Sequence, residues 1–224
     1  MALLRTLACL IVGCAFMMVT TQADAASRSR APDRPPGADG FSGGTFSCLE
    51  FVNGLGDNST GRIQSTIARL WILGYLTGYY KGKGTLEFTS DAADAAAMDA
   101  LLIQKCKESP GAAILNMALQ GIAVEPRKLP ELALGDFKPA TYTCGQHIDG
   151  KTGPASKANA ADLAEMWAFA FIQGIKNVAQ PDVEIKPEFR DALVGALNKA
   201  CGGSRDKLFL DMAALVAERV KIAG

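Results

Sequence analysis

The residues in this chain that could do chemistry are few, and their types point away from catalysis. There is one histidine, His147, and there are six cysteines, Cys9, Cys14, Cys48, Cys106, Cys144 and Cys201. A histidine suggests proton transfer or metal binding, yet zinc needs three or four convergent ligands, and no second imidazole and no spare thiolate is at hand. No metal and no cofactor is expected. Serine, histidine and aspartate can be picked from any chain of this length, so their presence alone does not support a covalent hydrolase. Gly78-Tyr-Tyr-Lys-Gly-Lys-Gly-Thr85 has the look of a phosphate loop, but Gly82-Lys83 is followed by Gly84 rather than Ser or Thr. It reads as a helix terminus and turn, and the chain as a whole reads as non-enzymatic.

The cysteines make more sense once the chain is compared with itself. Thr45-Phe46-Ser47-Cys48 matches Thr141-Tyr142-Thr143-Cys144, and Ile67-Ala68-Arg69-Leu70-Trp71 matches Leu163-Ala164-Glu165-Met166-Trp167, at a spacing of 96 residues. The spacing slips to 95 later on, aligning Cys106 with Cys201 and Leu115-Asn116-Met117-Ala118 with Leu210-Asp211-Met212-Ala213. A fixed period means one supersecondary unit used twice. Four cysteines allow three pairings, and Cys48 to Cys106 with Cys144 to Cys201 treats both copies alike without crossing them. In the same register His147 occupies the position of Phe51, so it is expected to fill a structural slot.

The elements that carry these residues are helical. Arg62 to about Tyr80 is apolar with helical period, with Ile63, Ile67, Leu70, Trp71, Tyr75 and Gly78 near one face. Asp91 to Ser109 is Ala-rich and carries Cys106, and Pro110 is expected to open a third helix to about Ile122. The second copy repeats this with Lys157 to Ala179, Pro187 to Ala200, and a last helix capped by Ser204 and running to Lys221. The fold class is therefore all-α, two tandem small helical units over residues 45–124 and 141–224. A Pro-containing linker of limited freedom, 125–140, joins them, with Leu129, Leu132, Leu134 and Phe137 available to pack. Gly74-Tyr-Leu-Thr-Gly78 puts small residues one turn apart, which lets another helix come close. Trp71 and Trp167 read first as core residues.

The N-terminus has one charge, Arg5, an apolar run from Thr6 to Val19, and Ala23-Asp24-Ala25 before a mature start at Ala26. These are the marks of a cleaved signal peptide over residues 1–25. Ile11-Val12-Gly13-Cys14 resembles a lipobox, which would instead give a lipid-anchored envelope protein. The run is too short to cross ~30 Å of hydrocarbon, which takes ~20 residues, so no transmembrane segment is expected after cleavage. Residues 26–44 are rich in Pro, Gly and charge and read as a flexible leader. The mature chain keeps 22 basic and 22 acidic residues once Arg5 and Asp24 are removed, and no bulk field favours nucleic acid. Four cysteines in an exported chain are expected to oxidise.

The Thr-aromatic-Ser/Thr-Cys start, Trp71-Ile-Leu-Gly-Tyr75-Leu-Thr-Gly78, and Cys106 with Pro110 four residues later resemble the HdeA/HdeB family of small periplasmic acid-stress chaperones. Both copies share the pattern across most of residues 45–222, the second with Ala170 and Phe171 in the central segment and no proline after Cys201. The resemblance implies a compact helical fold in which Cys48, Cys106, Cys144 and Cys201 are the bridge positions. It also implies dimers that loosen in acid and bind unfolding periplasmic proteins through apolar surface; in this chain the apolar helix faces with Trp71, Tyr75, Trp167 and Phe171 are the candidates for that surface. Family members typically have one unit, so the tandem would be a covalent pseudo-dimer or a form that has lost the switch. In strong acid the mature chain goes from neutral to roughly +20, so a switch is expected at about pH 3–4 rather than near 6. The competing readings are an acid-insensitive module for one specific protein partner, such as an inhibitor or toxin-immunity protein, and a structural envelope protein.

Overall fold

Each copy of the repeat starts with a capped helix. A computed structural model describes residues 41–56, 59–122, 128–131, 134–181 and 183–220. Helix α1, Cys48–Gly54, is opened by Ser47: its Oγ accepts from the Glu50 backbone N–H (3.2 Å), and the Glu50 carboxylate accepts from the Ser47 N–H (2.8 Å). The second copy builds the same capping box with Thr143 and Gln146 to open α5, Cys144–Thr152. Long helices follow: α2 over Ser59–Lys83 and α6 over Ala155–Ala179, each of 25 residues and starting 96 residues apart. Helices α3 (Ala92–Glu108) and α7 (Arg190–Gly202) carry the second cysteine of each copy, and α4 (Ile114–Ile122) and α8 (Phe209–Arg219) complete the units. Gly84, with φ +71°, lies just beyond α2, so Gly78–Thr85 is a helix end and turn.

Two helix starts differ from expectation, for the same reason. Pro110 does not open a helix; residues 110–113 run beside the start of α1, where the Pro110 carbonyl accepts from the Leu49 N–H (2.9 Å) and that of Ala112 from the Cys48 N–H (2.9 Å). Nor does Ser204 cap α8, because Arg205 and Lys207 give their carbonyls to the Gly145 and Cys144 N–H groups at 2.8 and 2.9 Å. The first N–H groups of a helix have no intrahelical partner. Satisfying those of α1 and α5 keeps each segment in a turn outside the helix, with Ser47 bridging Ala113 and Thr143 bridging Leu208, so that α4 and α8 begin only after it.

Both disulfides form within a copy, Cys48–Cys106 tying α1 to α3 and Cys144–Cys201 tying α5 to α7, and all four cysteines are buried. Pieces of the linker join the core. Leu129 and Phe137 are buried and Leu134 is half-buried. Leu129–Pro130 (β2) pairs in parallel with Phe88–Thr89 (β1), a small strand pair in an otherwise helical fold. Leu132 lies outside the described residues, as do the signal peptide with Cys9 and Cys14 and the leader as far as residue 40. The last leader residues, 41–44, are part of the fold. The Phe41 ring lies 5.0 Å from Phe46 and 6.2 Å from Trp71, and the Gly43 carbonyl accepts from the Leu115 N–H.

Helices α1 and α4 pack on α2, with α3 against α1 and α4, while α5, α7 and α8 gather on α6, and the largest contact of all is α2 against α6. The described residues belong to one compact unit, and the two copies share one hydrophobic core. No described helix is long and apolar enough to cross a membrane.

Candidate functional site

The apolar face expected on the long helices lies at the seam where they meet. Trp71, Tyr75, Trp167 and Phe171 are all buried, none more than 3 % exposed. Within each helix the aromatic pair stacks, Trp71 on Tyr75 at 5.8 Å and Trp167 on Phe171 at 4.9 Å between ring centroids. Each tryptophan is covered by a phenylalanine from the segment before its copy, Phe41 on Trp71 at 6.2 Å and Phe137 on Trp167 at 5.8 Å. Phe41 and Phe137 are themselves 96 residues apart. The small residues allow the close approach. A Cβ on Gly78 would overlap the Phe171 carbonyl oxygen, and a Cβ on Gly174 would overlap that of Tyr75. The contact is reciprocal, residue i of one copy meeting residue j of the other and j meeting i, as in an isologous dimer interface. Sequence alone indicated that a helix would pack here but not that it would be the other copy.

One end of the seam is open. A cavity of about 310 Å³ lies between the copies, walled by Trp71, Tyr75, Leu115 and Phe169, with Asn116 and Glu184 among its polar residues. Beside it the buried amides of Gln173 and Asn177 hold the chain after α6. Gln173 accepts from the Ile185 N–H at 2.5 Å, and Asn177 donates to the Val183 carbonyl at 2.8 Å. Lys81 and Asp211 form an exposed ion pair across the seam at 3.3 Å. Such a pair contributes little in water.

A second cluster was not legible in the sequence. His147 is fully buried, with Nε2 2.6 Å from the Asn198 Oδ1 on α7, and with the rings of Phe209 and Tyr142 centred 4.7 and 6.5 Å away. Accepting at Oδ1 makes Nε2 the protonated nitrogen of a neutral ring, and Nδ1 has no hydrogen-bond partner. Glu165 on α6, 4 % exposed, has its Oε1 3.8 Å from Nε2 and 2.8 Å from the Lys151 Nζ, and Lys151 reaches Asp162 at 3.6 Å. Burial holds the His147 pKa below the usual histidine value; the Asn198 hydrogen bond and the Glu165 charge oppose this and Lys151 reinforces it. Burial also pushes the Tyr142 phenol up, with the charges of Glu165 and Asp136 adding to it. In the first copy the positions of His147 and Asn198 are held by Phe51 and Ile103. The counterpart of Glu165 is Arg69, which pairs with Asp99 of α3 at 3.2 Å. Burial raises the Asp99 carboxyl against the opposing pull of Arg69.

Among the described residues the geometry brings together no nucleophile and base. Gly40-Phe-Ser42-Gly-Gly44 has the letter spacing of a nucleophile elbow. Yet Ser42 lies in a turn where its Oγ accepts from the Gly44 N–H and its carbonyl from the Phe46 N–H, and the lone imidazole is bound to Asn198. Among the described residues no group of His, Cys, Asp and Glu could hold a metal ion. Compared with known proteins, the chain matches no family model, no characterised protein and no solved structure.

Proposed function

We propose that this chain is an ATP-independent holdase of the periplasm that keeps its client-binding surface in the α2–α6 seam and uncovers it in acid. The observation that carries the reading is the reciprocal seam itself. One chain holds internally the kind of self-complementary apolar contact that a dimer hides between subunits, so parting the copies would present Trp71, Tyr75, Trp167 and Phe171 together. Acid supplies a driving force, because the mature chain gains roughly twenty positive charges as its carboxylates titrate. The resemblance to the HdeA/HdeB family, the N-terminal export pattern and the two disulfides support the same reading and an oxidising compartment.

The test uses residues 26–224 with both disulfides oxidised. The protein should suppress aggregation of an unrelated periplasmic protein at about pH 2–3 and not at pH 7, where its carboxylates are charged. A clamp locates the activity. A Cβ built on Gly82 would lie 3.0 Å from the Val178 Cγ2, close enough for a disulfide between the long helices in the double variant Gly82→Cys/Val178→Cys. The clamped variant should lose acid protection. Full protection by the clamped protein, or none by a wild-type chain whose seam has opened, would sink the proposal. The tightness of the seam at Gly78 and Gly174 favours one other reading, a permanently closed module that binds a specific protein. That reading requires a stoichiometric partner at pH 7 whose binding the clamp leaves unchanged.

A further inference from the structure

The two copies fill the same register positions with different chemistry, and one such difference lies between the two helices that each disulfide joins. Between α5 and α7 the second copy sets His147 on Asn198, and at the matching positions of α1 and α3 the first copy has Phe51, buried, and Ile103, half-buried. Next to each contact lies the disulfide of its copy, Cys48–Cys106 or Cys144–Cys201, so the copies differ in the polarity of this contact and not in their covalent framework. The apolar pair of the first copy has no proton to gain. The imidazole of the second does.

We propose that His147 makes the second copy the acid-labile one, protonation of its buried ring loosening the contact of α5 with α7 and α8 while the Phe51 contact of the first copy stays closed. The imidazole can take a second proton only at Nδ1, because Nε2 already carries one toward Asn198. Nδ1 has no acceptor and no access to water, and Tyr142 and Phe209 face the ring. The anions nearby do not remedy this. Glu165 lies beside Nε2 rather than at an acceptor position for Nδ1, and Glu165 and Asp162 are already engaged by Lys151 from α5 itself. The lowered pKa of His147, with burial as its leading cause, agrees with the geometry.

The direction of the pH effect follows. A histidine kept neutral by folding contributes stability that is complete above its unfolded pKa of about 6.5 and is lost as pH falls toward its lower folded value. Loosening would thus begin in mild acid, before the carboxylates titrate. It would do so whether or not the opened protein takes clients, so the inference stands apart from the holdase reading.

The experiment compares the wild-type mature chain, with disulfides intact, with His147→Phe and with His147→Phe/Asn198→Ile, the latter giving the second copy the residues of the first. Urea unfolding from pH 7 to 5, followed by tryptophan fluorescence, should show the wild-type unfolding constant rising by up to tenfold per pH unit below about 6.5. The double variant should be flat over that range. As the wild type is acidified, amide exchange should lose protection in α5 and α7 before α1 and α3. Nitrogen NMR of the single histidine should give a neutral ring protonated at Nε2 in the folded state. A ring that titrates near 6.5 with the fold intact, equal pH slopes in wild type and double variant, or simultaneous loss of protection in both copies would overturn the inference. If His147→Phe alone fails to fold, the double variant and the NMR titration still decide it.

Discussion

The tightest test of the seam is to add one methyl group to it. Gly78→Ala places a Cβ where the Phe171 carbonyl oxygen and carbonyl carbon now lie, less than a van der Waals contact away. The obstacle is backbone in the middle of a 25-residue helix, so no side chain can rotate aside, and α2 and α6 must move apart. Overpacking a close-packed core costs ~1–3 kcal/mol, and a backbone obstacle puts this case at ~3 or above. Against it stands the gain of ~1 kcal/mol when alanine replaces glycine inside a helix. The net expectation is a loss of about 2 kcal/mol or more. For a chain of this size that is a fall in Tm of ~4–8 °C, at ~2–4 °C per kcal/mol. Gly195→Ala is the internal control: it sits in α7 with nothing within 4 Å of its Cβ, so only the helix gain of ~1 kcal/mol applies. Thermal and urea unfolding at pH 7 by circular dichroism would read both. Because a single separation of α2 from α6 relieves Gly78 and Gly174 together, Gly78→Ala/Gly174→Ala should cost less than the sum of the single changes. A Gly78→Ala protein as stable as wild type, or additive behaviour of the pair, would refute the reciprocal seam.

Three further outcomes are expected. Removing either disulfide as a Cys-to-Ser pair, Cys48 with Cys106 or Cys144 with Cys201, opens a loop of 58 or 57 residues and should lower unfolding free energy by up to about 4 kcal/mol, measured in urea without reductant. Lys151→Met strands the buried Glu165 carboxylate 2.8 Å from its lost partner and should cost about 3 kcal/mol at pH 7, with a smaller loss in Glu165→Gln/Lys151→Met if the stranded charge is the cause. Glu50, whose carboxyl is lowered by its hydrogen bonds to Ser47, gives stability that is present above the ordinary carboxylate pKa and is lost as pH falls through its lower folded value. Glu50→Gln keeps the capping box as Gln146 does and should remove that pH dependence, at a cost under about 1 kcal/mol at this exposed site.

How much of this was legible depended on whether two residues shared a register or only a space. The repeat period carried the disulfide pairing and the assignment of His147 to a structural slot, since each compares one copy with the other at a known offset. Helical period located the long helices, and Gly74-Tyr-Leu-Thr-Gly78 announced a close neighbour. What failed were inferences that needed a partner from elsewhere in the chain. Pro110 and Ser204 have the residue types of helix starts, but the free N–H groups of α1 and α5 claim the carbonyls around them. Trp71 and Trp167 read as core and are buried, but that the helix packed on theirs belongs to the other copy is something no periodicity within one helix can reveal. The cluster around His147 escaped for the opposite reason. Lys151, Glu165 and Asn198 stand where the first copy has Leu55, Arg69 and Ile103, so the comparison that exposed everything else showed only mismatches there.

Those mismatches have a physical pattern. A residue in the reciprocal seam meets the other copy, so a change in either copy alters a shared contact, and there the copies agree in shape: tryptophan with tryptophan, Tyr75 with Phe171, Gly78 with Gly174. A charged residue behind the seam meets only the helices of its own copy, so each copy can pair its charges independently. The first settles Arg69 with Asp99 across α2 and α3, and the second settles Glu165 with Lys151 across α6 and α5. A symmetric seam between asymmetric halves is what this produces. Symmetry in the seam fixes which surface is released when the copies part, whereas asymmetry behind it lets one half yield first. A protein whose halves yield at different pH can loosen its seam from one side while the other half, still folded around the Cys48–Cys106 bridge, remains a template for closing it again.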